Sequence, residues 1–441
     1  MKTDTAPKPE ASPLRIANFR AYWLARLTMT LGQYAMMLII GWQTYNIARD
    51  SGMDVAEASG QLALIGLLQF VPLFLLTPFS GWAADHFDRR NVGRATIALQ
   101  LLCAGALAWL TWSDSIALWS IYAVAIVLGI VRAFNGPAMS ALAPNLVPKA
   151  ILPNAIALSS ISWQTGMIVG PAVGGYTYAI FPSLPYLVAA GLFVFAMTAL
   201  SFIGKVPQPP RPQNQQPIHA MVEGVRYVVR NKMVLGAITL DLFAVFLAGA
   251  TALFPVYARD ILKVGETGLA QLAMAPAIGA ALTALIFSFR PLKTNVGPRM
   301  LWAVAVFGLA TIIFGLSTSM PLSLAMLFIV GAADMFSVYI RQSLIQLHTP
   351  DEKRGRVSSV SLLTISASNE FGDFFSGSLA YALGPVAAVV TGGAGAIITV
   401  AAWTKIFPVL RTTRTFDPPD ELVGQQPNRE LPEEKLQEQI P

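Results

Sequence analysis

The chain has 441 residues, of which 54% are hydrophobic and only 12% charged, with a mean hydropathy of +0.57. An ordinary soluble domain carries about twice that charged fraction, so a water-soluble globule is excluded and a bilayer is the expected solvent. The net charge of +6 does not indicate nucleic acid, because the Lys and Arg residues fall in the gaps between apolar runs and not on one face.

In chain order, the polar, Pro-containing start (1–17) has no apolar h-region, so no cleaved signal is expected and this segment is read as disordered and cytoplasmic. An amphipathic entry with Arg20 leads into span 1 (27–47), with Arg26 near its beginning. Spans 2 (61–81) and 3 (92–112) flank the crowded basic turn 81–90. Spans 4 (117–141), 5 (153–179) and 6 (185–204) follow, each near the ~20 residues a bilayer requires. A Pro/Gln linker (206–217) and an amphipathic helix carrying Arg226, Arg230 and Lys232 divide the chain near its midpoint. Six more apolar runs repeat the count: 233–257, 267–289, 298–317, 322–347, 357–383 and 385–407. The tail 409–441, rich in Pro, Glu and Gln, is read as disordered.

This is an all-α membrane protein of twelve spans in two six-helix bundles (18–205 and 233–408) joined by a linker (206–232). The inner loops hold Arg89, Arg90, Arg290, Lys293, Arg299, Lys353, Arg354 and Arg356, and the outer loops only Arg49, Arg259 and Lys263. That bias selects both termini inside. Two repeated bundles suit a carrier that rocks about a central site. The lone Cys103 rules out an internal disulfide, and neither a metal cluster, a phosphate loop nor a nucleophile with its base is present, so no metal, cofactor or enzymatic activity is expected. His86, His219 and His348 are read as solvated loop residues.

The spacing Gly81-x-x-x-Asp85-x-x-x-Arg89-Arg90 resembles the loop between helices 2 and 3 of the major facilitator superfamily, with His86 and Asp88 as departures. Physically, Gly81 permits a close helix approach, Asp85 can cap a helix, and the two arginines can hold carboxylates or lipid phosphate; a plain topogenic loop is the simpler alternative. In span 5, Gly166-x-x-x-Gly170-Pro171-x-x-Gly174-Gly175 places small residues on nearly one face and resembles the antiporter motif of the superfamily's exporters. A helix-packing seam without directional meaning fits the same glycines. In span 4, Leu128-x-x-x-Arg132-x-x-Asn135-Gly136 resembles the superfamily's fourth-helix motif, which implies that Arg132 is a coupling residue; a structural ion pair is the alternative.

The C-terminal half holds the acids: Asp241 in span 7, Asp334 with Arg341 in span 10, and Glu370 with Asp373 in span 11. Glu370 and Asp373 are three apart and share a helix face about 20 Å from Arg356. Two carboxylates so close do not both ionise cheaply, so Glu370, Asp373 and Asp334 are candidate proton carriers tuned by Arg132; a static network held by Arg341 or Arg26 is the alternative. Thr349 or Asp351 is expected to cap the turn between spans 10 and 11. Arg26, Gln33, Trp42, Asn135, Trp163, Asp241, Phe336, Arg341 and Asn369 are candidate cavity residues. Of the other aromatics, Tyr45, Phe243, Phe246 and Tyr257 suit either a cavity or the lipid boundary.

The 349–357 loop, together with Ser368-Asn369-Glu370-Phe371-Gly372 and the Phe134–Ala138 stretch, resembles the branch containing the enterobactin exporter and transmembrane secretion effectors, over nearly all of the transmembrane region. The resemblance implies a monomeric inner-membrane carrier that exports a small organic compound, drug-like or a siderophore, against protons by alternating access. A lysophospholipid flippase, a proton-independent facilitator and a non-transporting sensor are the alternatives.

Overall fold

The computed structural model describes residues 12–204 and 217–416; side chains at some positions, among them Asp85, His86, residues 217–221, Asp351, Glu352 and Glu370, lie outside that description. The expectations for the N-terminal segment, the Pro/Gln linker and the tail fall largely on residues beyond it. The first half comprises α1 (Ala17–Asp50), α2 (Val55–His86), α3 (Arg89–Trp112), α4 (Leu118–Leu142), α5 (Leu152–Ile180) and α6 (Leu184–Ser201). A surface helix, α7 (Pro217–Arg230), leads to α8 (Lys232–Leu247) and the single turn α9 (Phe254–Val256). Then come α10 (Gly265–Phe289), α11 (Val296–Leu316), α12 (Met320–Leu347), α13 (Asp351–Leu383), α14 (Pro385–Ile406) and the short α15 (Pro408–Thr412).

Ten helical stretches are long and apolar enough to cross a bilayer among the described residues. The other two long helices, α5 and α13, have the length (29 and 33 residues) but too many Ser, Thr, Asn and Gly positions. Their polarity has a structural reason. Both lie on the seam between the halves, α5 against α10 and α13 against α2, where side chains meet protein.

The expected amphipathic entry is continuous with span 1 in the single helix α1, and the linker helix stops at Arg230 because Asn231 caps α8, its Oδ1 accepting from the Met233 and Val234 amides. α7 is tied to the second half by Tyr227 donating to the His348 carbonyl at 2.8 Å and by an Arg356–Glu223 pair at 2.6 Å. Its Val222, Val225 and Val229 remain exposed along one stripe. Span 7 is not continuous. α8 ends at Leu247, the backbone opens over 248–250, and a 3-10 turn (Thr251–Leu253), α9 and a π turn (Tyr257–Ile261) complete the crossing. Backbone groups freed by such a break in mid-membrane must be enclosed by protein, and α13 covers them: Gly249 lies against Gly372 and Ser376.

Two further expectations change, at Thr349 and His348, and Asp88 takes a role of its own. Asp88 caps α3, accepting from the Arg90 amide, and the Arg90 side chain clasps it at 2.5 Å. Thr349 does not cap α13 but donates back to the Ile345 carbonyl, and Pro350 occupies the cap position. His348 is buried, with Nδ1 3.0 Å from the Leu344 carbonyl; burial pushes its pKa down, so it stays neutral. Cys103 is buried, as a small core residue should be.

The glycines of α5 divide their labour. Gly166, Gly170 and Gly174 face α1 inside the first half, whereas Gly175 faces Ala270 and the Glu266 carbonyl of α10 in the second. A Cβ on Gly174 would stand 2.6 Å from the Ala35 carbonyl oxygen, which is backbone and cannot yield without parting the helices. Gly174→Ala is therefore expected to destabilise the protein by about 1–3 kcal/mol. Gly105→Ala on α3, where a methyl meets nothing within 4 Å, should be stabilising by about 0.5–1 kcal/mol. Thermal unfolding of the two variants in detergent checks the contrast.

Candidate functional site

The halves are joined at the end of the bundle away from the chain termini. Tyr45 donates to Asp260 at 2.5 Å, Arg49 pairs with the same carboxylate at 3.2 Å, and Arg259 reaches Asp50 at 2.6 Å and Asn46 at 2.7 Å. The π turn presents Arg259 and Asp260 together, so one short irregular segment latches the end of α1. Further along the seam, Gly377 of α13 abuts Ala63 of α2, and Gln271 donates to the Tyr176 hydroxyl at 3.2 Å between α10 and α5.

Midway along α2 and α13 the seam becomes aromatic. Phe70 contacts Phe371 across the halves with centroids 5.3 Å apart and stacks on Phe74 at 5.5 Å. Phe371 in turn stacks on Phe374 at 5.7 Å and on Phe246 at 5.4 Å, and Phe246 meets Phe375 at 4.7 Å. Phe246 lies beside the break in span 7, and Asp373, two residues beyond Phe371, accepts a hydrogen bond from Thr251 in the 3-10 turn at 3.0 Å. Ring faces, opened backbone and a half-buried carboxylate are thus gathered at one level. Phe74 and Phe371 are 51% and 39% exposed, so ring surface remains for a further partner.

A second polar group lies within the C-terminal half. Arg341 of α12 and Asp241 of α8 form an ion pair buried on both sides, and the Arg341 Nε finds no acceptor among the described residues. Asp241 and Asp334 line one small cavity with Ser337. A buried pair like this is costly to break because the surviving charge is left in hydrocarbon.

The sequence model for transmembrane secretion effectors matches residues 9–437, nearly the whole chain. The chain belongs to the transmembrane secretion effector family. It is 27% identical over 349 residues to the multidrug efflux pump Tap of Mycobacterium tuberculosis, covering 76% of this chain and 78% of that protein. It is also 26% identical over 419 residues to the enterobactin exporter EntS of Escherichia coli O1:K1, covering 91% and 94%. Among solved structures, a bacterial homologue of the human lysosomal transporter Spinster, inward-facing and unoccupied, superposes with a TM-score of 0.68 at 16% identity over 90% of this chain and 99% of that one. A D-xylose–proton symporter does so with 0.67 at 12% identity over 89% and 98%. The fold is that of the major facilitator superfamily, with twelve spanning helices. This secretion effector is a multi-pass membrane transporter of the efflux type that takes a small-molecule substrate; it is not an enzyme.

Of the residues singled out in the sequence, Arg132 of this effector reaches Gln69 of α2 at 3.5 Å, next to Phe70. It therefore neighbours the aromatic seam that carries Asp373, and Asn369 is exposed on the same stretch of α13. The Glu370 side chain lies outside the described residues. Arg341 pairs with Asp241, and Arg26 donates to Tyr22 at 2.7 Å, inside the first half. Asn135 is also drawn inward, between Thr96 at 3.2 Å and the Met29 sulfur at 3.4 Å, and Gln33 sits 3.5 Å from Gln100. Trp42, Tyr45 and Tyr257 are core residues at the latched end, Trp163 is 40% exposed on α5, and Phe336 packs edge-on against Phe287 at 5.0 Å. In the basic turn, Arg89 donates to the Ala141 carbonyl and Arg90 to that of Ile203, each at 2.9 Å, stapling the turn to the ends of α4 and α6. The side chain of Asp85 and the surroundings of Gly81 lie outside the description, and Pro171 is buried in α5.

Sequence reasoning passed over Phe70, Phe74, Phe371, Phe374 and Phe375. Their only signal is the i, i+3, i+4 spacing of the three α13 rings, which reads equally well as a lipid face. It also missed a cavity of about 290 Å³ between α10 and α12, lined by Phe287, Met335, Tyr339, Gln342 and Gln346 among others. The clue was the polar stripe Tyr339, Gln342, Ser343, Gln346 at helical spacing in an apolar helix.

Two outcomes follow. Arg341→Met strands Asp241 and should cost about 3–5 kcal/mol, whereas D241N/R341M, which removes both charges, should recover most of that loss in thermal midpoint. Arg90 holds the Asp88 carboxyl below the usual range. This contribution is present above the ordinary carboxylate pKa of about 3.9 and is lost as pH falls through the depressed folded value. Arg90→Ala should remove that acid-side dependence from a pH series of unfolding midpoints.

Proposed function

We propose that this protein exports a small organic compound bearing aromatic surface, drug-like or a catechol-type chelator, across the cytoplasmic membrane in exchange for protons by alternating access. The observation that carries the reading is the partly exposed stack Phe70–Phe371–Phe246 beside Asp373 and the broken span 7. Stacked rings supply contact area that tolerates varied ligands, the carboxylate gives polarity at one point, and an opened helix provides backbone donors and acceptors. The names of the relatives, a multidrug pump and an enterobactin exporter, point to the same chemistry.

The face carrying the termini and the arginine-rich turns is assigned to the cytoplasm on the positive-inside bias, with both termini inside and the protein acting as a monomer in the bilayer. On that assignment the Asp260–Arg49 and Arg259–Asp50 pairs close the outer end, a state that loads substrate from inside. Rocking then parts these pairs while the glycine contact of Gly175 with α10 serves as the pivot surface. Glu370, Asp373 and Asp334 are the proposed proton carriers, with Arg132 acting on the α13 acids through the α2 side of the seam. Gly81, Asp85, Arg89 and Arg90 hold the inner turn through the cycle, and Gly166, Gly170 and Gly174 keep α5 and α1 moving as one body.

The test is uptake of ethidium and of enterobactin into inverted membrane vesicles with and without an imposed pH gradient. Wild-type uptake should require the gradient. Phe371→Ala should raise KM about 2- to 10-fold, the worth of a lost aromatic pair, and Asp373→Asn should remove the response to the gradient. Uptake that ignores the gradient would overturn the proton exchange; transport of lysophospholipid but of neither probe would replace the substrate class.

A further inference from the structure

Helix α7 has 14 residues and is about 21 Å long, too short to span a bilayer, and it takes no part in either site described above. Helical spacing divides it into two faces. On one, Val228 is buried, Gly224 lies against the Arg356 carbonyl and the Val360 side chain of α13, and Glu223 pairs with Arg356 at 2.6 Å. On that side Tyr227 also donates to the His348 carbonyl at 2.8 Å, with the Lys353 ammonium 5.3 Å from its ring centroid. On the other face Val222, Val225 and Val229 are 50%, 41% and 59% exposed, and Arg226 and Arg230 stand exposed along one flank of that stripe. The protein grips one side of the helix and leaves an apolar stripe turned outward.

Depth decides what that stripe meets. α13 has 33 residues and is about 50 Å long, well beyond the ~30 Å of hydrocarbon it crosses, so its first turns stand in the headgroup layer. Val360, against which Gly224 packs, is nine residues into α13 and so about 14 Å along it, near the edge of the hydrocarbon. A helix seated there with valines outward and arginines on its flank has the arrangement of one lying in the interface, its apolar face at the headgroup–acyl boundary and its cations at the phosphates. The charge of this corner is complementary to an anionic layer. Glu223 is the only acid of α7 and is taken by Arg356, while Arg226, Arg230 and Lys232, the last at the first position of α8, form no ion pair among the described residues.

We infer that the outward face of α7 docks in the leaflet at the arginine-rich end of the bundle, its valines among the acyl chains and Arg226, Arg230 and Lys232 on the phosphates of anionic phospholipid. Each basic residue near such a surface strengthens binding about 5-fold, so three together select an anionic headgroup over a zwitterionic one. The docked helix holds more than itself. Through Glu223 and Tyr227 it grips the connection between α12 and α13, so the same lipids fasten that end of α13, the helix that carries Phe371 and Asp373.

The experiment places an environment-sensitive nitrobenzoxadiazole label on the stripe of the full-length chain, as C103A/V225C or, in a second parent, C103A/V229C, in nanodiscs of phosphatidylcholine with a rising fraction of phosphatidylglycerol. Label emission should move from a water-like to an apolar value as phosphatidylglycerol is added, and lipids carrying a nitroxide on the acyl chain should quench it. R226Q should raise the phosphatidylglycerol fraction at half-transition about 5-fold, and R226Q/R230Q should keep the label water-like at the fraction that saturates the parent. Both arginines are exposed, so the effect is on docking and not on folding. Amide exchange over 348–356 should slow with the same dependence on phosphatidylglycerol. A label that stays water-like at every composition, immersion as deep in phosphatidylcholine alone, or arginine variants that follow the parent would each overturn the docking. An apolar shift that the nitroxide lipids fail to quench would overturn it in favour of a second copy of the chain on the stripe, and exchange over 348–356 that ignores phosphatidylglycerol would overturn the fastening of α13.

Discussion

Hydrocarbon offers no water to a charge or to an open backbone amide, and that single constraint arranges this molecule. Each polar group inside the bundle has to be met by another part of the protein, so the helices richest in polar and small residues, α5 and α13, are those placed between the halves. The same constraint keeps Asp241 on Arg341 and places the break of span 7 behind α13. Lipid-facing helices such as α3 and α11 instead expose Trp109, Trp112 and Trp302, which no polar neighbour needs to cover.

Close packing then decides which parts move together. Gly166, Gly170 and Gly174 bring α5 onto α1 at backbone contact, and the stapled turn of Arg89 and Arg90 ties α2 and α3 to the ends of α4 and α6. The first half is thereby knit along its length. Among the described residues, ion pairs between the halves gather at one end around Asp260 and Arg259 and are partly exposed. Exposed ion pairs are worth little individually, about 0–1 kcal/mol, which suits contacts that must part and re-form during transport.

The aromatic seam and the buried ion pair occupy different layers. Rings of α2 and α13 meet at the seam between the halves, while the Arg341–Asp241 pair sits inside the C-terminal half, between α12 and α8. The broken span 7 touches both. α8 carries Asp241, and the residues just beyond its end carry Thr251, which holds Asp373.

Hydropathy and charge, both one-dimensional properties, determined the twelve spans and the two halves, because a bilayer enforces length and polarity locally on each segment, and the motif resemblance pointed to the family. They also marked the glycines of span 5 and the acids of spans 7, 10 and 11. Partner choice was beyond them, since helical spacing fixes a face but not the helix it meets. Arg341 and Asp334 share a face at seven-residue spacing, yet Arg341 pairs with Asp241, a hundred residues earlier in the chain. Asn135 looked like a cavity residue and is bonded inside the first half; Phe70 and Phe371, neither read as a site residue, meet across the seam. Local polarity specified which groups need shelter, and only the packing of twelve helices decided which group shelters which, because those contacts join residues far apart in sequence.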